Sequence, residues 1–412
     1  MKELLADWRI RRLLLANIMG SIGSGITIIA IPWLLVQRPG GERIFGYITV
    51  AATIILFVFA PYYGSWLDRN SRKAALLIGE VFGATVTLTM ATWMLLTGDT
   101  ATWQLVTLYF CGMLYYTLHF PARFAFVQQV FDKKHYQPLM GLMEIQGQTA
   151  SFMVGGLASV MLVYVPVYVI LLFDAGTYLF SFALQSTLPY ESTHVASGKP
   201  KFNTLKSIVV GFTWLRERPQ FTLFVLCTVA PFVAVMTGNY LFPIYVQNIL
   251  EAPASVYGRG EMAFALGALI AGIFVPKLIS QHKAANVALA TMFLFVCGLI
   301  MLGSLHTVPT FYLALILLGL GNAGTRVAKG TVLITTVPNE IIGRVQVVLS
   351  AVDRLLRTLL QFGAIYIVVH HDSAWAFVGL VIFVSLALVL AWSSRKGLQS
   401  TVNSLPEPNQ HA

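Results

Sequence analysis

Gly64-Ser65-Trp66-Leu67-Asp68-Arg69-Asn70-Ser71-Arg72-Lys73 sets one acid and three bases between two long apolar runs, Tyr47–Trp66 and Ala74–Leu96. A charged connection this short makes the flanking helices antiparallel neighbours. Gly64 has no Cβ and is expected to admit a closely approaching backbone. Asp68 falls at the membrane edge, where the positive end of another helix can receive it. Arg69, Arg72 and Lys73 form the kind of basic cluster that stays on the cytoplasmic side.

Spacing and placement together carry a resemblance. Gly, three residues, Asp-Arg, two residues, Arg-Lys, falling between a second and a third span, resembles the loop signature of the major facilitator superfamily. The resemblance implies an all-α membrane protein of twelve transmembrane helices in two pseudo-symmetric six-helix bundles. It also implies a conformational lock at Gly64, Asp68, Arg69, Arg72 and Lys73, with Asp68 meeting the start of the eleventh span near Gly343-Arg344.

The rest of the chain agrees with a polytopic helical protein. Of 412 residues, 57% are hydrophobic and 11% charged, against about 25% charged in soluble domains; mean hydropathy is +0.74. Runs of roughly 20 apolar residues recur throughout. They are expected at Leu13–Val36, Tyr47–Trp66, Ala74–Leu96, Thr102–Phe120, Pro138–Leu162, Pro166–Leu188, Phe221–Val246, Tyr257–Ile279, Val287–Leu305, Phe311–Leu333, Val345–Val369 and Trp375–Trp392. Met1–Gly20 reads as a retained first span rather than a cleaved signal, because no small-residue cleavage site follows. The division is then residues 1–188 as an amino-terminal bundle, 189–219 as a cytoplasmic linker, 220–393 as a carboxy-terminal bundle and 394–412 as a cytoplasmic tail. Within the linker, Phe202–Trp214 has the spacing of an amphipathic helix lying on the inner membrane surface, and Phe124–Phe131 of a shorter one.

Charge sets orientation. Of the 27 Lys and Arg, Arg38, Arg43 and Arg259 fall on one side, Arg354 and Arg357 fall inside a span, and the others share the side of both termini. Both termini are therefore expected in the cytoplasm of a cell with an inner membrane. The net charge of +10 is a topology signal in short loops, not a nucleic-acid surface. Cys111, Cys227 and Cys297 lie in apolar runs and read as buried hydrophobes. The halves look duplicated. Pro32 with Val36-Gln37 pairs with Pro243 and Val246-Gln247, Gly64 with Gly272, and Val130-Phe131-Asp132 with Val337-Pro338-Asn339, all at an offset of about 210 residues.

Ionisable groups inside spans cost about 2.5–3.5 kcal/mol each and are the best functional clues. Glu144 has no base on its own span and reads as a proton carrier, or as an acid satisfied by a neighbouring span. Asp353 and Arg357, four apart, share a face; they are either a self-neutralised pair or a proton- or substrate-responsive switch, with Asp353 the second carrier. Arg354 points elsewhere. Glu80 is expected to brace Arg72 or another loop base. Asp174 reads as structural or peripheral, and Arg259 with Glu261 as a rim or gate pair. By the resemblance, the cavity is lined mainly from the first, fourth, seventh and tenth spans. Asn17, Tyr115, Tyr116, His119, Asn239, Tyr240, Asn322 and Arg326 then face a substrate, joined by Gln148, Arg354 and Arg357.

Finer resemblances narrow the branch. Ser21-Ile22-Gly23-Ser24 to Pro32, Pro121-Ala122-Arg123, Gly211-Phe212 to Arg218-Pro219 and Val337-Pro338 to Gly343-Arg344-Val345 resemble drug exporters that include macrolide efflux proteins and the enterobactin exporter. The chain departs from them where Ser151-Phe152 stands in place of a Gly-Pro. The expected function is export of a small amphiphile, siderophore or drug, by proton antiport with alternating access. A lysophospholipid transporter and a non-transporting receptor or scaffold are the alternatives. Expected partners are the small-molecule substrate, protons and membrane lipid, with no nucleic acid, and the chain is expected to be a monomer. No nucleotide-binding loop, metal-ligand spacing or nucleophile–base arrangement is present, so neither cofactor nor enzymatic activity is expected.

Overall fold

The computed structural model describes residues 6–131, 136–190, 204–338, 341–371 and 373–403; the side chains at 60, 61, 65, 68, 69, 136–138, 140, 141, 144, 204–208 and 396–403 lie outside that description. Every described element is a helix. They run α1 Trp8–Val36, α2 Gly41–Arg69, α3 Arg72–Thr97, α4 Thr102–Val130, α5 Tyr136–Tyr164, α6 Val167–Ser186, α7 Thr204–Arg216, α8 Pro219–Cys227, α9 Ala230–Ile244, α10 Ala254–Gln281, α11 Ala284–Ser304, α12 Val308–Thr336, α13 Ile342–His370 and α14 Ala374–Asn403. Each of the twelve expected spans falls on a helix, the seventh on α8 and α9 together. Ten helices are long and apolar enough to cross a membrane. The other two long ones, α4 and α13, carry His119 with Arg123 and Asp353 with Arg354 and Arg357.

Local chemistry ends the helices where it should. Asp7 caps α1, its carboxylate accepting from the Arg9 backbone N–H at 2.8 Å, and Thr307 caps α12. Only Asn70 and Ser71 separate α2 from α3. Ser71 is a good N-cap because its hydroxyl accepts from the Ala74 N–H. Gly98 closes α3 in the left-handed conformation, φ 69°, with its N–H on the Met94 carbonyl. Most helices overrun their apolar windows at one end or both, α6 being the exception, because hydropathy marks where lipid lies and capping marks where a helix stops. Phe124–Phe131 is not a separate surface helix; apart from Phe131 it is the last turns of α4.

The chain forms two compact units. One comprises residues 1–196 with Phe242–Ala265; the other comprises Ser197–Leu241 with residues 266–412. In the first, α1 lies against α4, α5 and α6, and α3 lies against α4 and α6. In the second, α11 packs on α12 and α14, α14 also covers α8, and α7 rests on α13. This last contact gives the amphipathic stretch a protein surface to rest on. Gly211 brings α7 so near the turn at Arg344-Val345 that a Cβ there would stand 2.6 Å from the Arg344 carbonyl oxygen, and Leu215 is buried in the core of the unit. Val209 and Phe212 remain exposed.

Candidate functional site

In the amino-terminal unit, polar side chains of α1, α3, α4 and α6 meet inside the helix packing. Glu80 on α3 is 1% exposed. The Gln185 amide Nε2 of α6 donates to its Oε1 at 2.8 Å, and the Tyr115 hydroxyl lies 3.5 Å from both carboxyl oxygens. His119 Nδ1 stands 3.7 Å from Oε1, with its ring stacked on Tyr115 at 4.9 Å. Asp174, also 1% exposed, accepts from the Thr27 hydroxyl of α1 at 2.6 Å. Tyr178 sets its ring edgewise to Tyr115 at 4.9 Å, and Tyr116 meets Ser24 at 2.9 Å. Glycine makes the room: a Cβ on Gly23 would collide with Thr177 Oγ1 and reach Asp174 Oδ1 at 2.7 Å, and one on Gly83 would strike the Tyr178 ring at 2.6 Å. Asn17 is buried on α1 with both amide atoms lacking a hydrogen-bond partner among the described residues.

This arrangement overturns two expectations. Glu80 does not brace Arg72: the Arg72 guanidinium donates instead to the Ala125 carbonyl at 2.8 Å. Asp174 is not peripheral but buried one helix layer from Glu80. Proximity to a loop in sequence misled, because the helix turns Glu80 inward, away from that loop. Tyr115, Tyr116 and His119 do come together, but Gln185 on Glu80, Thr27 on Asp174 and Tyr178 against Tyr115 were not foreseen. The one available signal was an acid inside an apolar run.

In the carboxy-terminal unit the charges have the opposite sign. Arg357 Nη2 donates to Asp353 Oδ2 at 2.8 Å along α13, and its guanidinium lies over the Phe232 ring at 5.2 Å. This is the pair that the four-residue spacing implied. The Lys329 ammonium of α12 is within electrostatic range of Asp353 and Arg326. Arg326 and Arg354 are exposed, while Asp353 and Arg357 are half-buried. Asn322 and Tyr240 are buried and Asn239 is exposed. Gln148, on α5 of the other unit, is half-buried.

At the signature loop, Lys73 Nζ donates to the Ser186 and Leu188 carbonyls, both at 2.6 Å. The Tyr190 hydroxyl accepts from the Arg72 N–H at 2.9 Å. Both bases thus tie the start of α3 to the later turns of α4 and the end of α6 within one unit, and Lys73 satisfies the Ser186 carbonyl that the end of α6 leaves unpaired. The side chains of Asp68, Arg69 and Glu144 lie outside the described residues. Gly64 corrects its reading: no described atom lies within 4 Å of where its Cβ would stand. Arg259 and Glu261 form no ion pair, since two residues along a helix face opposite ways.

A family model described as Major Facilitator Superfamily matches residues 13–359. No curated protein sequence matches the chain. Among solved structures, the POT family transporter PepTSo is similar with a TM-score of 0.70 and 11% identity, over 96% of this chain and 99% of that one. A D-xylose-proton symporter gives 0.69 and 12%, over 93% and 96%. A bacterial homologue of the iron transporter ferroportin, in an inward-facing state, gives 0.67 and 14%, over 96% and 98%. At such identities the likeness shows the fold alone.

Proposed function

Because this chain belongs to the Major Facilitator Superfamily, it is a multi-pass membrane transporter, and we propose that it exports a small amphiphile bearing an anionic group across the cytoplasmic membrane. Proton antiport by alternating access drives the export, both termini lie in the cytoplasm, and the chain acts as a monomer among membrane lipid.

The observation that carries the reading is the excess of cation on α12 and α13. Arg326, Lys329, Arg354 and Arg357 are set against one acid, Asp353, in segments where a charge is expensive. A guanidinium keeps its charge in a protein, so such a group needs a countercharge or a ligand. A carboxylate, catecholate or phosphate supplies one, with the amides of Asn239 and Asn322 and the ring of Tyr240 suited to the remainder of an amphiphile. Asp353 and Glu144 are the proton carriers; when Asp353 is protonated its hold on Arg357 weakens, freeing the guanidinium for the substrate. Asn17, Tyr116, His119 and Gln148 line the amino-terminal share of the path. Gly64, Asp68, Arg69, Arg72 and Lys73 hold the cytoplasmic closure.

The test is flux in inside-out vesicles, using a catecholate siderophore, a macrolide and a lysophospholipid as probes. The siderophore should accumulate with a pH gradient and lose that accumulation in Arg357→Gln and in Glu144→Gln. Uptake of the macrolide alone, insensitive to Arg357→Gln, overturns the anionic reading. The same four bases suit a phosphate head group; lysophospholipid movement that ignores the gradient would replace antiport export by lipid transport.

A further inference from the structure

Among the described residues the most deeply buried acids, Glu80 and Asp174, have no place in the proton carriers or the anion site just described. We propose that Glu80 is a proton-binding site inside the amino-terminal unit, with His119 the group that exchanges its proton. The assignment does not rest on the substrate or direction of transport.

Three observations carry it. First, among the described residues no Lys or Arg comes within 4.0 Å of either carboxyl; the partners are an amide, hydroxyls and an imidazole. A desolvated carboxylate without a countercharge is among the costliest groups to bury, and a proton removes that cost. The two acids also lie within electrostatic range of each other, which opposes their ionising together. Second, Gln185 is 2% exposed and spends its Nε2 on Glu80, yet its Oε1 has no hydrogen-bond partner among the described residues, and neither does His119 Nδ1. An ionised carboxylate only accepts and leaves both acceptors unmet; a protonated one has an O–H to donate to one of them. Third, the imidazole of His119 can take a proton at one ring nitrogen and release another from the second. Its Nδ1 is 3.7 Å from Glu80 Oε1, so a movement of under about 1 Å brings the two into hydrogen-bond range.

The groups facing this site are few. From α4 come Tyr115, Tyr116, His119 and Arg123, the last within electrostatic range of His119. From α6 come Asp174 and Tyr178. The α1 residues at this level, Asn17, Ser24 and Thr27, do not ionise, and Tyr63 of α2 gives its O–H to the Leu118 carbonyl. In the exchange the Glu80 O–H bond breaks and an N–H bond forms at His119 Nδ1, leaving a carboxylate beside an imidazolium. The imidazolium then loses its Nε2 proton to water. Nothing is oxidised, and one proton has left.

The experiment is infrared titration of the purified full chain in lipid bilayers, following the C=O stretch of protonated carboxyl groups across neutral pH. The wild type should keep a buried component of that band at neutral pH, and Glu80→Gln should remove it. The exposed-acid control Glu217→Gln should not. His119→Phe should leave the band in place but slow its loss when the buffer is made alkaline. A band unchanged by Glu80→Gln overturns the proposal. If Glu80→Gln does not accumulate, Gln185→Met keeps the carboxyl and removes its amide partner; an unshifted band in that variant overturns the proposal equally. Because no flux is measured, failure here is separate from failure of the export reading.

Discussion

The amino-terminal unit hides two acids among amides, hydroxyls and rings, whereas in the carboxy-terminal unit Arg326, Lys329, Arg354 and Arg357 gather around one acid, Asp353. The surroundings differ as much as the sign. Glu80 and Asp174 sit where Gly23 and Gly83 draw helices together and leave almost no exposure. Arg326 and Arg354 are exposed, and Arg357 is half-buried over an aromatic ring. The reason lies in what each group can do when desolvated. A carboxyl can take up a proton and be packed as a neutral group; a guanidinium cannot lose one and must meet a countercharge. Acid is therefore tolerable in the tight interior of one unit, while the bases of the other keep part of their surface exposed.

Removing Arg357 is the harshest way to break this contrast. Arg357→Ala should lower uptake of an anionic substrate about 10- to 100-fold, the scale of a lost charged hydrogen bond, and leave uptake of a neutral amphiphile largely intact. Parallel flux assays on the two probes check this. Next comes the packing that hides the acids: Gly23→Val drives a side chain into Thr177 and Asp174 and should destabilise the protein by about 1–3 kcal/mol, read as a lower unfolding temperature in detergent. A smaller change sharpens the contrast. Thr27→Val keeps the shape but removes the donor to Asp174, for a loss of about 1 kcal/mol in the same melt. The smallest lies on the opposite unit's rim. Arg218→Gln removes a guanidinium 4.4 Å from the Trp214 ring and should cost only about 0.5–1 kcal/mol, with flux unchanged. Were Arg218→Gln to match Gly23→Val, the view that exposed base and buried acid are held on different terms would fail.

Residues near one another in the chain were read well. Asp353 and Arg357 are paired as their spacing implied, and the short loop at Asn70-Ser71 does separate two long helices. Residues whose partners are remote were not. Glu80 was assigned to a loop base a few positions away, yet it takes its hydrogen bond from Gln185, 105 positions on. Gly64 was given a close neighbour by its chemistry, and among the described residues it has none within 4 Å. The helix at Thr204–Arg216 overlaps Phe202–Trp214, where amphipathic spacing suggested one, but nothing in that spacing names α13 as the surface it rests on.

The amino-acid sequence by itself determined the twelve apolar stretches that fall on helices, their interruptions and the family, because lipid acts on each run of some twenty residues locally and a loop signature is contiguous. Tertiary structure alone decided which acids are shut away and what surrounds them. Burial depends on which helices become neighbours, and that choice is made by glycine-sized gaps and side-chain shapes far apart along the chain.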